Sequence, residues 1–202
     1  MEAGLLEKIC FWINRFAYLN LLWLLFCLAG LLLAGFFPAT AAMFAVQRKW
    51  ISGRVEIPVF RTFLLTYKRY FWKANQLGFL LLLFGGMLFI NFYLVMDRAS
   101  VLASLFHLFL LLLSFLYLLV WLYVFPVLVH FEGTGFDTVK NALFTAITSP
   151  FLTISAIIGV VLLFWFCRAL PGSIPVLGCS GISFIMSVFA QRVFNNIETR
   201  AF

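Results

Sequence analysis

Five long runs of nearly unbroken hydrocarbon constrain this chain more than any motif in it. They lie at about residues 18–37, 76–96, 101–124, 150–167 and 176–189. Most approach the ~20 residues that a helix needs to cross a ~30 Å hydrocarbon core. In that solvent the backbone must satisfy its own hydrogen bonds, so each run is read as a helix. Composition agrees, since 65% of residues are hydrophobic and only 10% charged, against about 25% charged in a soluble domain. No polar stretch is long enough for a separate soluble unit. The sequence predicts an all-α polytopic membrane helix bundle of about five transmembrane helices, a single integral membrane domain over 1–202.

Before the first span, Leu5, Leu6, Ile9, Trp12, Ile13 and Phe16 recur at helical spacing, with Glu2, Glu7 and Lys8 largely elsewhere. Residues 1–17 are therefore expected to form an amphipathic helix at the membrane interface. Ala39-Thr40-Ala41 imitates a signal cleavage site. The apolar run before it exceeds the ~7–15 residues of a signal core, so an uncleaved first span is expected. Gly30 and Ala34 form a small pair suited to close helix approach. Pro38 predicts a kink or a helix boundary.

Between the first two spans, residues 47–75 hold Arg48, Lys49, Arg54, Arg61, Lys68, Arg69 and Lys73 against a single acid, Glu56. Pro58 suits a helix start, and Phe60, Phe63, Leu64, Tyr67 and Phe71 then share one helical face. An interfacial elbow helix is expected there, with Trp50, Tyr67, Tyr70 and Trp72 at headgroup depth. The candidate surface for membrane or partner contact is Arg48, Lys49, Trp50, Arg54, Arg61, Tyr67, Lys68, Arg69, Trp72 and Lys73. The formal net charge of +7 is thus placed between apolar runs, which suits anionic lipid headgroups and not nucleic acid. Five spans put the termini on opposite sides. With 47–75 inside, Lys140, Arg192 and Arg200 join its cations, leaving Lys8, Arg15, Arg98 and Arg168 outside. That count places the N-terminus outside and the C-terminus in the cytoplasm.

The later connections are Asp97-Arg98-Ala99-Ser100, then 130–149 and 168–175. Phe125-Pro126 echoes Phe37-Pro38, and each pair precedes polar sequence and a helical lead into the next span. That echo suggests a two-helix repeat of the sort transporters use.

Little here promises catalysis. The acids Glu2, Glu7, Glu56, Asp97, Glu132, Asp137 and Glu198 all fall outside the expected spans, whereas ion-coupled carriers place such groups within the bilayer. His107 is the ionisable group inside a span, and Asn91 is expected at similar depth on the preceding helix. The pair reads as an interhelical hydrogen bond. Gly178-Cys179-Ser180-Gly181 imitates the motif of intramembrane serine proteases, but no histidine lies downstream to activate Ser180. Cys10, Cys27, Cys167 and Cys179 are scattered, and two histidines are too few for a metal cluster. No enzyme, cofactor or metal is expected.

The stretch GFFPATAAMFAV, the following RKW, IPVFRTF and YKRYFWKANQLG, and the later FPVLVHF and VKNALF together resemble the YesL family. These are small bacterial polytopic membrane proteins of unknown function. The resemblance covers nearly the whole chain and implies no catalytic residue. Members often accompany carbohydrate importers of the ATP-binding-cassette type. The resemblance therefore implies an accessory role in sugar uptake at the bacterial cell membrane, with permease subunits as partners. A small oligomeric transporter or channel stands as the alternative, and a homo-oligomer is left open.

Overall fold

The computed structural model describes residues 4–95, 100–131 and 133–200. Among them the helices are α1 (Leu5–Ala29), α2 (Leu33–Ile51), α3 (Val59–Val95), α4 (Val101–His130), α5 (Gly135–Thr148), α6 (Pro150–Ala169) and α7 (Ile174–Arg200), with no strand. A 3-10 turn at Pro171–Ser173 leads into α7. Five of them, α1, α3, α4, α6 and α7, are long and apolar enough to cross a membrane. The expected helical membrane bundle is what the chain forms. Residues 1–3, the turn residues Asp97, Arg98 and Ala99, and Glu132 lie outside the described residues.

The first span differs from the expectation of 18–37. The candidate span is Glu7–Ala29, so the expected amphipathic helix at 1–17 is simply the first half of α1. The chain then reverses at Gly30-Leu31-Leu32, and α2 is a separate helix. Pro38 lies inside α2 and Pro126 inside α4, and neither ends its helix. Pro38 cannot donate to Ala34 O one turn back, and that carbonyl accepts instead from Asn75 Nδ2 of α3 at 2.9 Å.

The elbow helix is not separate either. It is the first half of the 37-residue α3, which at ~1.5 Å per residue is ~55 Å long. Its cations stop at Lys73, and residues 76–95 carry none. Those residues, ~30 Å of helix, are the part that matches a bilayer core.

The centre of the bundle is α2. Its Phe37, Ala41 and Phe44 belong to one core cluster with α3, α4, α5, α6 and α7. Its Ala39, Ala42, Met43, Val46 and Trp50 belong to another with α1 and Phe63 of α3. Small residues on α2 let neighbours close on both sides, so from Phe37 to Gln47 it is largely enclosed by protein, while Leu33 and Phe36 at its start are exposed.

The helices pair as antiparallel hairpins. Trp23 Nε1 donates to Thr40 Oγ1 near the α1–α2 turn, while at the far end Trp12 lies 6.0 Å from Trp50. Tyr117 Oη donates to Leu81 O and Phe92 meets His107, which fixes α3 against α4. On α6 and α7, Gly159 faces Ile185, and Gly181 faces Leu163.

These pairings gather distant segments at one end. Arg15 Nη1 donates to Val55 O, Arg48 Nη1 to Val129 O and Gln191 Nε2 to Ser52 Oγ. The start of α1, the end of α2, the end of α4 and the second half of α7 therefore share that end. The reversal at 30–32 returns the chain toward the level of Trp12 and Arg15, so the start of α1 lies beside the basic connection.

Candidate functional site: the basic, aromatic end

The candidate contact residues divide by what holds them. Trp50 was expected at headgroup depth, yet it is only 3% exposed. It is packed edge-on against Trp12 and Phe16, with Phe184 of α7 completing the cluster. Its indole Nε1 is buried with no hydrogen-bond partner. Arg15 covers the same cluster, its guanidinium 4.1 Å from the Phe11 ring centre and 5.6 Å from Trp50. Helical spacing on α1 brings Trp12 and Phe16 to one side, and the hairpin presents Trp50 to them.

Arg48 and Tyr67 are also structural ties. Both are half-buried. Arg48 binds α4 through Val129 O, and Tyr67 Oη reaches Phe26 O at 3.4 Å beside the α1–α2 turn. Lys73 is half-buried and donates to Gly133 O before α5. By contrast Lys49, Arg54, Arg61, Lys68, Arg69 and Trp72 are exposed, with Trp72 at 76%. Arg69 lies beside the Tyr70 ring. So Lys49, Arg54 and Arg61, which stand at or next to the α2–α3 connection, form the available cationic surface of this end, and Arg192 of α7 is exposed near it.

Asn91 and His107 are not bonded to each other. Asn91 Nδ2 donates to Met87 O on its own helix, and His107 Nδ1 lies 3.1 Å from Ala103 O on its own. Phe92 stands edge-on to the imidazole at 5.3 Å. In each, one side-chain nitrogen bonds the carbonyl one turn back, the local alternative to an interhelical bond.

Ser180 is 0% exposed, and its hydroxyl donates to Val176 O. Its carbonyl accepts from Gln47 Nε2 at 2.8 Å and from Ser183 Oγ, while Ser187 Oγ donates to Gln47 Oε1. This closed polar pin ties α2 to α7. Sequence reasoning missed Gln47, because it sits beside Arg48 and reads as the start of a loop. A second buried contact, Tyr123 Oη to Thr153 Oγ1 at 3.0 Å, ties α4 to α6. Among the described residues no three His, Cys, Asp or Glu side chains group as metal ligands.

Residues 16–92 match the family described as "Protein of unknown function, DUF624". Over nearly its whole length the chain is similar to three proteins of Bacillus subtilis (strain 168). It is 39% identical to uncharacterized protein YteU over 197 residues, covering 98% of this chain and 88% of that one. It is 35% identical to uncharacterized protein YesV, covering 95% and 92%, and 36% identical to uncharacterized protein YesL, covering 98% and 93%. No solved structure matches it.

Proposed function

The chain belongs to the DUF624 family of proteins of unknown function, with YteU, YesV and YesL as relatives, and from that premise we propose a non-enzymatic accessory of a bacterial carbohydrate importer of the ATP-binding-cassette type. It is a multi-pass helical membrane protein. The accessory role goes further and rests on one observation: the hairpins concentrate exposed cations and both arms of the chain at a single end.

Lys49, Arg54, Arg61 and Arg192 stand exposed there, beside the rigid Trp12–Phe16–Trp50–Phe184 cluster. Arg168 lies at the opposite end of α6. Cations favour the cytoplasmic side, so this end faces the cytoplasm and carries the N-terminus, the α2–α3 connection and the C-terminal half of α7. A rigid aromatic floor with a charged rim suits a membrane partner's cytoplasmic loops. The internal polar groups of Gln47 and Ser187 are spent on each other, which favours an accessory over a conduit that would need polar groups facing a path.

Affinity purification from native membranes in mild detergent, with mass spectrometry of what is retained, tests the role. Permease subunits are expected with the wild-type protein and are expected to fall away when Lys49, Arg54 and Arg61 are changed to Glu together. Recovery of the folded wild-type protein without any permease subunit defeats the reading.

A further inference from the structure

We infer that the groove between α3, α4 and α5 seats one acyl chain of an anionic phospholipid, with the phosphate beside Lys73. The groove has a volume of about 600 Å³ and is walled mainly by Leu77, Leu81, Phe84, Tyr117, Val139 and Leu143, with Lys73 and Gln76 at one end.

Its length fits one leaflet. From Lys73 to Phe84 the wall runs eleven residues of α3, ~16 Å at ~1.5 Å per residue, against ~15 Å for half of a ~30 Å core. The charged end is where the cations of α3 stop and the bilayer-length apolar half begins. The groove therefore starts at headgroup level and ends near the bilayer midplane.

Its chemistry changes along that length as a lipid's does. Beyond Gln76 the one polar group in the wall is the Tyr117 hydroxyl, which is spent on Leu81 O at 2.9 Å. At the other end Lys73 lines the groove and donates to Gly133 O, which stands against the Asp137 side chain. That carboxylate already accepts from the Thr134 N–H and hydroxyl, so the acid nearest Lys73 is held in a helix cap. Leu80, Phe84 and Phe136 stand 58%, 41% and 78% exposed along the rim, so the groove opens sideways, where lipid is. Basic pockets beside membrane helices on the cytoplasmic side take anionic headgroups in this manner.

The inference rests on α3 lying in the bilayer and is independent of any importer, so its failure leaves the co-purification result untouched. The test is native mass spectrometry of the purified full chain, with phosphatidylglycerol and phosphatidylcholine of identical chains added in equal amounts. Phosphatidylglycerol adducts should dominate, and Lys73→Gln should cut that preference roughly fivefold, as expected for losing one cation near an anionic headgroup. Leu80→Trp should fill the groove and lower occupancy by both lipids without changing thermal stability, and Leu113→Trp fills it from α4 should the first variant not fold. Excess inorganic phosphate should not displace the adduct. Equal occupancy by both lipids in the wild type, unchanged occupancy in a folded tryptophan variant, displacement by phosphate alone, or a dimer that the tryptophan variant breaks would each overturn it.

Discussion

At the scale of single residues, burial separates the ties from the contact surface. Charge and aromatic character alone put Arg48, Trp50, Tyr67 and Lys73 with Lys49, Arg54 and Arg61. Partners across the hairpins, which no local pattern reveals, commit Arg48, Trp50 and Tyr67 to the fold and tether Lys73 to Gly133 O. Gln47 was missed for the same reason, since its hydrogen-bond partners are on α7, more than 130 positions away. Gln47→Leu keeps the volume but leaves the Ser187 hydroxyl without that acceptor. The expected loss is ~1–2 kcal/mol, the usual cost of breaking a buried polar contact in a membrane bundle, read as a lower melting temperature in detergent. Asp137 gives a pH prediction. Hydrogen bonds from the Thr134 hydroxyl and N–H, then the nearby Lys140 and Lys73, hold its carboxyl below the usual value of 3.8. A depressed carboxyl stabilises the fold above its unfolded pKa, and that contribution is lost as pH falls through the folded value. The α5 cap should therefore be constant from neutral pH to about pH 4 and weaken below it. Amide exchange at residues 135–138 should show this, and Asp137→Asn should remove the dependence.

At the scale of elements, the starts of α4 and α6 were legible because hydropathy, polar turns and caps coincide, whereas α4 runs on through Pro126 to His130. Ser100 caps α4 by accepting from the Ala103 N–H, and Pro150 opens α6. The α1–α2 turn was illegible because it is itself made of hydrocarbon. Leu31 and Leu32 adopt φ of 57° and 62°, a left-handed conformation costly for any residue with a Cβ. Nothing polar marks the reversal, while Pro38 drew the boundary to the wrong place. The readable signal was the pair Gly30 and Gly35, not Gly30 and Ala34. A Cβ on Gly35 would lie 2.5 Å from Cys27 O, and one on Gly30 would lie 2.3 Å from Gly35 Cα. Both clashes are with backbone that cannot rotate away. Gly35→Ala should cost ~1–3 kcal/mol, as overpacking does. Gly86→Ala, where nothing lies within 4 Å, should leave the melting temperature unchanged or raise it by removing a helix-weakening glycine.

At the scale of the whole molecule, hydropathy counted the lipid-facing helices but could not see α2, which is hidden among them. One unseen element reverses every parity argument that follows it. With α1 and α2 treated as one span, the charge count put Lys8 and Arg15 opposite the basic connection. With the reversal at 30–32, Arg15 touches Val55, and those two cations join Arg48, Lys49, Arg54 and Arg61. On the proposed topology the positive-inside bias becomes steeper, with the start of α1 and the second half of α7 on one side. Three antiparallel hairpins have this result whether α1 and α2 cross the whole bilayer or enter and leave from one face. Single cysteines in a cysteine-free background give the decisive measurement, using a membrane-impermeant maleimide on sealed vesicles of both orientations. Cysteines replacing Glu7, Arg54 and Arg192 should react in inside-out vesicles and stay protected in right-side-out ones. A cysteine at Ser100, beyond the long α3–α4 hairpin, should do the reverse. Labelling of Glu7→Cys and Arg54→Cys from opposite faces would mean that α1 and α2 run on as one span. The Trp12–Trp50 contact and the shared cationic end would then both be lost.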